Sequence, residues 1–144
     1  MGVAEILLKR KQELAAKNLA EGKNYIKEFS KANEIIDHEN EVGYKVLNKR
    51  TGEKPLLTDT VTCHYHGTNI KGEVFDSSVE RGNPATFQIN KLIKGWQNIM
   101  PLLEIGTKAM LVIPADLAYG EEQISKEIGP NSTLIFEIEL LEKK

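Results

Sequence analysis

Cys63 is the only cysteine in 144 residues, so an intramolecular disulfide framework is excluded, and three scattered histidines beside it offer none of the spacings that hold zinc. The redox compartment stays open on this evidence. Neither sign of charge dominates: 19 Lys and Arg against 21 Asp and Glu leave a formal charge of −2, too little basic field to hold a phosphate backbone or an anionic membrane. No nucleic-acid partner is therefore expected. Long apolar runs are missing as well. The longest, Ala109 to Ala115, falls far short of the roughly 20 residues a membrane span needs, so a soluble chain without membrane insertion is expected. An apolar content of 40% over this length fits one domain of ordinary size with a short appendage, not two full domains.

Proline is absent before residue 43, and glycine occurs there only at Gly2 and Gly22, whereas the remainder holds all five prolines and the other glycines. This conformational shift divides the chain into an N-terminal helical extension, residues 1–42, and a second domain, residues 43–144. From Ala4 to Ile36 the extension is rich in Leu, Ala, Lys, Glu and Gln, which lose little rotamer freedom in a helix. Leu8, Ala15, Leu19, Gly22, Ile26 and Phe29 recur at helical spacing, and Tyr25, Ala32 and Ile36 widen the stripe. Such a face packs on its own domain or on the same helix of a second chain. Lys and Glu alternate on the opposite face, the pattern of a solvated surface and not of a basic membrane anchor.

Beyond Gly43 the period changes to two. Val61, Cys63 and Tyr65 fall on one side of a strand and Thr60, Thr62, His64 and His66 on the other. Asn69 to Gly72 makes a turn and Glu73 to Phe75 a returning strand. Phe87 and Ile89 begin a further alternation. Lys91 to Leu103 carries a helical stripe of Leu92, Trp96, Ile99, Met100 and Leu103 that stops at Gly106. Ala109 to Ile113 and Thr133 to Leu141 complete the strands. The class is α+β with an antiparallel sheet.

Chemistry of the familiar kinds is hard to find. The sequence has no Gly-x-Ser-x-Gly elbow, no Walker loop and no Gly-x-Gly-x-x-Gly, and Cys63 lies inside a strand pattern where cysteine is inert packing. His64 and His66, two apart on one strand face, read better as solvent-facing histidines than as metal ligands. What remains is aromatic and apolar matter at segment ends.

Taken together, His64-Tyr65-His66-Gly67, Val74-Phe75-Asp76-Ser77-Ser78, Ile93-Lys94-Gly95-Trp96, Ala118-Tyr119-Gly120 and Gly129-Pro130-Asn131 through Phe136 to Leu141 follow one another in an order that resembles the FKBP-type peptidyl-prolyl isomerases. The resemblance covers residues 43–144. Arg81-Gly82-Asn83-Pro84-Ala85-Thr86-Phe87 and the segment Asn18 to Lys23 are most similar to the bacterial macrophage infectivity potentiator branch, here with a shortened N-terminal helical region.

This resemblance implies an antiparallel sheet of about five strands wrapped over a short helix, with a proline pocket between them. It implies peptidyl-prolyl cis-trans isomerase activity assisting folding, with no cofactor and no metal. Trp96 would form the pocket floor and Tyr65, Phe75, Leu92, Ile93, Ile128 and Phe136 its walls. The Ile93 N–H and the Tyr119 hydroxyl would bond substrate carbonyls beside Ala118, and Asp76 would be held by Tyr65 and Arg81. Implied partners are proline-containing polypeptide clients, macrolide inhibitors such as tacrolimus or rapamycin, and a second copy through the N-terminal helix. A rival reading keeps the pocket but makes it a non-catalytic binding or chaperone module.

Two departures from the family pattern stand out. Ala85 replaces an aromatic wall found in many eukaryotic members. The charged stretch Glu121 to Ile128 replaces a glycine-rich loop, is expected to form a helical turn, and leaves only Ile128 as a wall residue. The expected location is the cytoplasm if Met1 is the native start, and the periplasm or envelope if it is not.

Overall fold

A computed structural model describes residues 2–32 and 42–144. Helix α1 runs Val3–Ala32, and the expected continuation to Ile36 lies outside the described residues. After it come β1 (Gly43–Asn48), β2 (Thr60–Thr68), β3 (Val74–Ser77), α2 (Ser78–Arg81), β4 (Ala85–Gln88), α3 (Lys94–Ile99), β5 (Lys108–Ile113) and β6 (Leu134–Lys143). Short 3₁₀ turns cover Ile89–Lys91, Met100–Leu102 and Ala115–Leu117.

The sheet is antiparallel, ordered β1-β5-β6-β2-β3, with β4 also paired to β2. Six strands replace the expected five or so because one edge of β2 is shared. His66 to Thr68 pairs with β3, Thr60 to Cys63 pairs with β4, and α2 fills the break between them. Ser77 caps α2 by accepting the Glu80 N–H at 3.1 Å, and Gly82 ends it at φ 74°.

The period-two pattern is borne out. β2 buries Val61, Cys63, Tyr65 and Gly67 in strict alternation, and β6 buries Leu134, Phe136, Ile138 and Leu140 opposite them, with Tyr65 facing Ile138 and Gly67 facing Phe136. The single helix read over Lys91 to Leu103 is instead three pieces, with α3 between two 3₁₀ turns. Pro101 sits at the start of the second turn, where its missing N–H and its clash with the preceding turn stop α-helical propagation. α3 packs on the sheet, with Trp96 and Ile99 buried in one core with Tyr65, Leu111 and Phe136.

The amphipathic stripe of α1 divides along its length. Gly22 and Phe29 are buried against the domain, whereas Val3, Leu7 and Leu8 stand in solvent. Gly22 permits the approach, because a Cβ there would lie 2.1 Å from Thr133 Oγ1. Asn18 Nδ2 donates to Pro130 O at 2.8 Å, and Asn131 Nδ2 donates to Ala15 O at 3.3 Å.

Candidate functional site

Between α3 and the sheet lies a cavity of about 340 Å³. Its floor is Trp96, 4% exposed, placed by the one full turn of α3. Three rings meet the indole edge to face: Phe136 at 4.9 Å and 88°, Tyr65 at 5.6 Å and 72°, and Phe87 at 6.0 Å and 85°. Phe75 in turn meets Phe136 at 5.4 Å and 87°. These perpendicular arrangements set positive ring edges on negative faces, which orients the wall rings as well as burying them. Gly67 makes the last pair possible, since a Cβ there would come within 2.6 Å of Phe75 and 2.8 Å of Phe136.

Leu92, Ile93, Ile128 and Tyr119 complete the walls. Ile93 is the N-cap of α3, and its carbonyl accepts the Trp96 and Gln97 N–H groups at 3.1 and 3.2 Å. Its own N–H therefore precedes the helical ladder and faces outward from it. The indole N–H of Trp96 is buried with no hydrogen-bond partner among the described residues.

One carboxylate stands at the rim. Tyr65 Oη donates to Asp76 Oδ2 at 2.5 Å, Arg81 Nη1 donates to Asp76 Oδ1, and Arg81 Nη2 donates to Tyr65 Oη at 3.0 Å. The guanidinium also lies over the Tyr65 ring, 5.6 Å from its centroid. Partial burial pushes the Asp76 carboxyl up, but the hydrogen bonds from Tyr65 and Arg81 and the charge of Arg81 together hold it below the ordinary carboxylate value of 3.8. Burial, with Asp76 beside it, raises the Tyr65 phenol above 10.0. At neutral pH Asp76 is an ionised acceptor with its lone pairs engaged, which unfits it for proton transfer.

The expected site residues thus fall into two sets. Tyr65, Phe75, Asp76, Leu92, Ile93, Trp96, Tyr119, Ile128 and Phe136 line the cavity together. Arg81 and Ala118 do not: Arg81 reaches it only through Asp76 and Tyr65, and Ala118 packs against the core behind the rim. Three lining residues escaped the sequence reading, namely Phe87, Ile124 and Ser125. Phe87 could have been found from its alternation with Ala85 on β4. Ile124 carried one signal, an isolated apolar residue in a charged stretch.

That stretch forms no helical turn. The Ile128 carbonyl instead accepts from Ile124 N–H at 3.0 Å and Ser125 N–H at 3.3 Å, and Ile128 N–H donates to Ser125 Oγ at 3.1 Å. The closed loop presents Ile124 to the cavity. A larger groove of about 740 Å³ runs between α1 and the domain, but Leu19, Lys23, Asp116 and Glu121 on its walls assemble no comparable constellation. His64 and His66 lie on the other face of β2, bonded through Nδ1 to Ser78 Oγ at 2.9 Å and Ser77 Oγ at 2.8 Å. Among the described residues no three His, Cys, Asp or Glu side chains are grouped to hold a metal.

An aromatic cavity with a tyrosine-bound carboxylate at its rim is thus cut between a short helix and an antiparallel sheet, and comparison with known proteins shows the family that carries this fold. Residues 51–141 match the model of the FKBP-type peptidyl-prolyl cis-trans isomerases, and the chain belongs to that family. It is 46% identical over 123 residues to the FKBP-type 22 kDa peptidyl-prolyl cis-trans isomerase of Escherichia coli K12, covering 85% of this chain and 60% of that one. To the outer membrane protein MIP of Legionella longbeachae it is 39% identical over 143 residues, covering 97% and 61%. The crystal structure of FkpA from Escherichia coli superposes with a TM-score of 0.90 at 39% identity, over 95% of this chain and 64% of that one. The chain therefore spans about 60% of the length of these two curated relatives.

Proposed function

We propose that this protein catalyses cis-trans rotation about X–Pro bonds in polypeptide clients, through the cavity floored by Trp96. The observation that carries the proposal is a cavity floored by that indole and lined by five further aromatic residues, Tyr65, Phe75, Phe87, Tyr119 and Phe136, with its single carboxylate tied off at the rim. Rotation must break amide resonance against a barrier of roughly 18–20 kcal/mol, yet no bond to carbon is made or cleaved. The twisted amide is less dipolar than the planar one, so a water-poor apolar site favours it. The Ile93 N–H and the Tyr119 hydroxyl would hold the flanking carbonyls while the proline ring rests on Trp96. A gain of 10³ to 10⁴ in rate corresponds to about 4 to 5.5 kcal/mol, within reach of preferential binding alone.

The same reading makes residues 43–144 the isomerase domain and residues 1–42 an extension. It takes macrolides such as tacrolimus or rapamycin as competitors of the proline segment. Val3, Ile6, Leu7, Leu8 and Leu14, exposed along α1, support a homodimer formed through that helix. No helix among the described residues is long and apolar enough to cross a membrane. The Legionella relative named as an outer membrane protein supports a place in the cell envelope.

Exchange NMR on a short X–Pro peptide tests the activity, with rapamycin as competitor. Accelerated exchange that rapamycin abolishes is the expected result. Binding of peptide without acceleration would replace the enzyme by a proline-binding module. Sedimentation tests the dimer, which a monomer at high concentration would overturn.

A further inference from the structure

Tyr119 lines the cavity at 37% exposure, and its hydroxyl makes no hydrogen bond among the described residues. The position of that hydroxyl therefore depends on how firmly the backbone beneath it is held. Gly120 N–H donates to Ala115 O at 2.8 Å, and Gly120 O accepts the Asn131 N–H at 2.7 Å. Asn131 is the only non-glycine residue with positive φ among the described residues, at 56°, a conformation that asparagine tolerates better than most residues. Its side chain does not serve its own turn. Nδ2 reaches across to the carbonyl of Ala15 in the middle of α1, while Asn18 of α1 reaches back to the carbonyl of Pro130. Both acceptors are backbone carbonyls, so the amide nitrogens of both asparagines must face them. Gly22 and Thr133, in direct contact, seat the helix beside this exchange.

We propose that Asn131 is a positioning residue for the isomerase site, through which α1 fixes the Tyr119 rim. This inference rests on the proposed role of Tyr119 toward substrate. On this view α1 is part of the framework of the pocket: one asparagine clamps Gly120 through its main chain and the helix through its side chain. Releasing the helix contact frees the 119–122 rim while leaving Trp96 and the ring walls undisturbed.

The test uses the full chain and Asn131→Gly, which keeps the positive φ and the N–H to Gly120 but removes the bond to α1. Asn18→Ala removes the reciprocal bond. Each variant is expected to lower kcat/KM about 2- to 13-fold, the range for one hydrogen bond, with Tm falling by no more than about 6 °C. In a Tyr119→Phe background Asn131→Gly should cost less than about 1.5-fold, because its effect passes through that hydroxyl. Equal fractional losses in both backgrounds, or no loss in either, would overturn the proposal. Amide hydrogen exchange supplies a readout independent of turnover. Gly120 and Glu122, whose N–H groups bond Ala115 O and Tyr119 O, should exchange at least about tenfold faster in the variant, with the amides of β2 and β6 unaffected. Unchanged exchange at Gly120 refutes the coupling even if the protein proves not to be an isomerase. A wild type without turnover but with the exchange response refutes the isomerase reading and leaves the helix-to-rim clamp standing.

Discussion

Trp96→Leu separates a site that works by excluding water from one that works by moving protons. The indole is 4% exposed and in edge-to-face contact with Tyr65, Phe87 and Phe136. A proline ring laid on it would remove about 80 Å² of apolar surface from water, worth about 2 kcal/mol at 25 cal/mol/Å². Losing that face should therefore lower kcat/KM about 30-fold, with more lost if water enters the enlarged cavity. Truncating a buried aromatic to alanine costs about 3–5 kcal/mol of stability, which is why leucine is the better variant. Near-ultraviolet dichroism and a urea midpoint must first establish that it is folded. Tyr119→Phe deletes one hydrogen bond and should lose only about 2- to 13-fold. Asp76→Asn keeps the shape of the rim and should lose less than Trp96→Leu. The assay is protease-free exchange NMR on an X–Pro peptide, run from about pH 6 to 8, where an aspartate held below its ordinary carboxylate value leaves the rate flat. A carboxylate acting as general base would instead make Asp76→Asn lose about 10²- to 10⁴-fold. If Asp76→Asn abolishes turnover in a folded protein that still binds peptide, the exclusion of water is not the source of the rate.

Asp76 also gives stability a defined acid dependence. Its folded pKa lies below its unfolded one, so its contribution is complete above the unfolded value and disappears as pH falls through the folded value. Urea midpoints taken between about pH 2 and 6 should fall less steeply below about pH 4 for Asp76→Asn than for the wild type. Gly22→Ala should lower the thermal midpoint although alanine favours a helix by about 1 kcal/mol, because its Cβ would meet Thr133 Oγ1 at 2.1 Å; adding Thr133→Ala should recover part of the loss in a melting curve. Burial pushes the Cys63 thiol up to about 12, so Ellman's reagent at pH 8 should label it only at the rate of global unfolding.

The parts of the fold legible in the sequence are those where one face alone is buried. β2 alternates throughout and β6 from Leu134 to Leu140, because one face of each is buried and the other is not, and α1 carries a stripe of which Gly22 and Phe29 are buried. β1 escaped the reading because it buries Gly43 and Tyr44 side by side and then exposes most of the rest, so period two never develops. The split edge was equally hidden. β3 and β4 have four residues each and owe their existence to β2, whose two halves they complete. In the site, the motif residues came through resemblance, since nothing in the spacing of Trp96 or Phe136 distinguishes a pocket floor from plain core. Ile124 was out of reach because its direction is set by hydrogen bonds converging on the Ile128 carbonyl, a local geometry that no periodicity encodes.

The polar groups of the cavity favour the proline segment proposed as its ligand. Three of the side-chain acceptors on its walls are engaged: Asp76 by Tyr65 and Arg81, the Tyr65 oxygen by Arg81, and the Ser125 oxygen by the Ile128 N–H. Donors remain. The Tyr119 hydroxyl is unbonded among the described residues, and the Ile93 N–H lies outside the α3 ladder. Proline is the one residue that brings a carbonyl on either side and no N–H between them, so it enters a wall of donors without leaving a donor of its own unpaired. Any other residue would carry an amide hydrogen past carboxylate, phenol and serine oxygens that are already engaged, at the cost of a weakened bond. The rim triad of Tyr65, Asp76 and Arg81 thus acts at a distance from the chemistry. By engaging the one carboxylate on the cavity wall, it would keep that charge from drawing water across the indole on which the proline ring would rest.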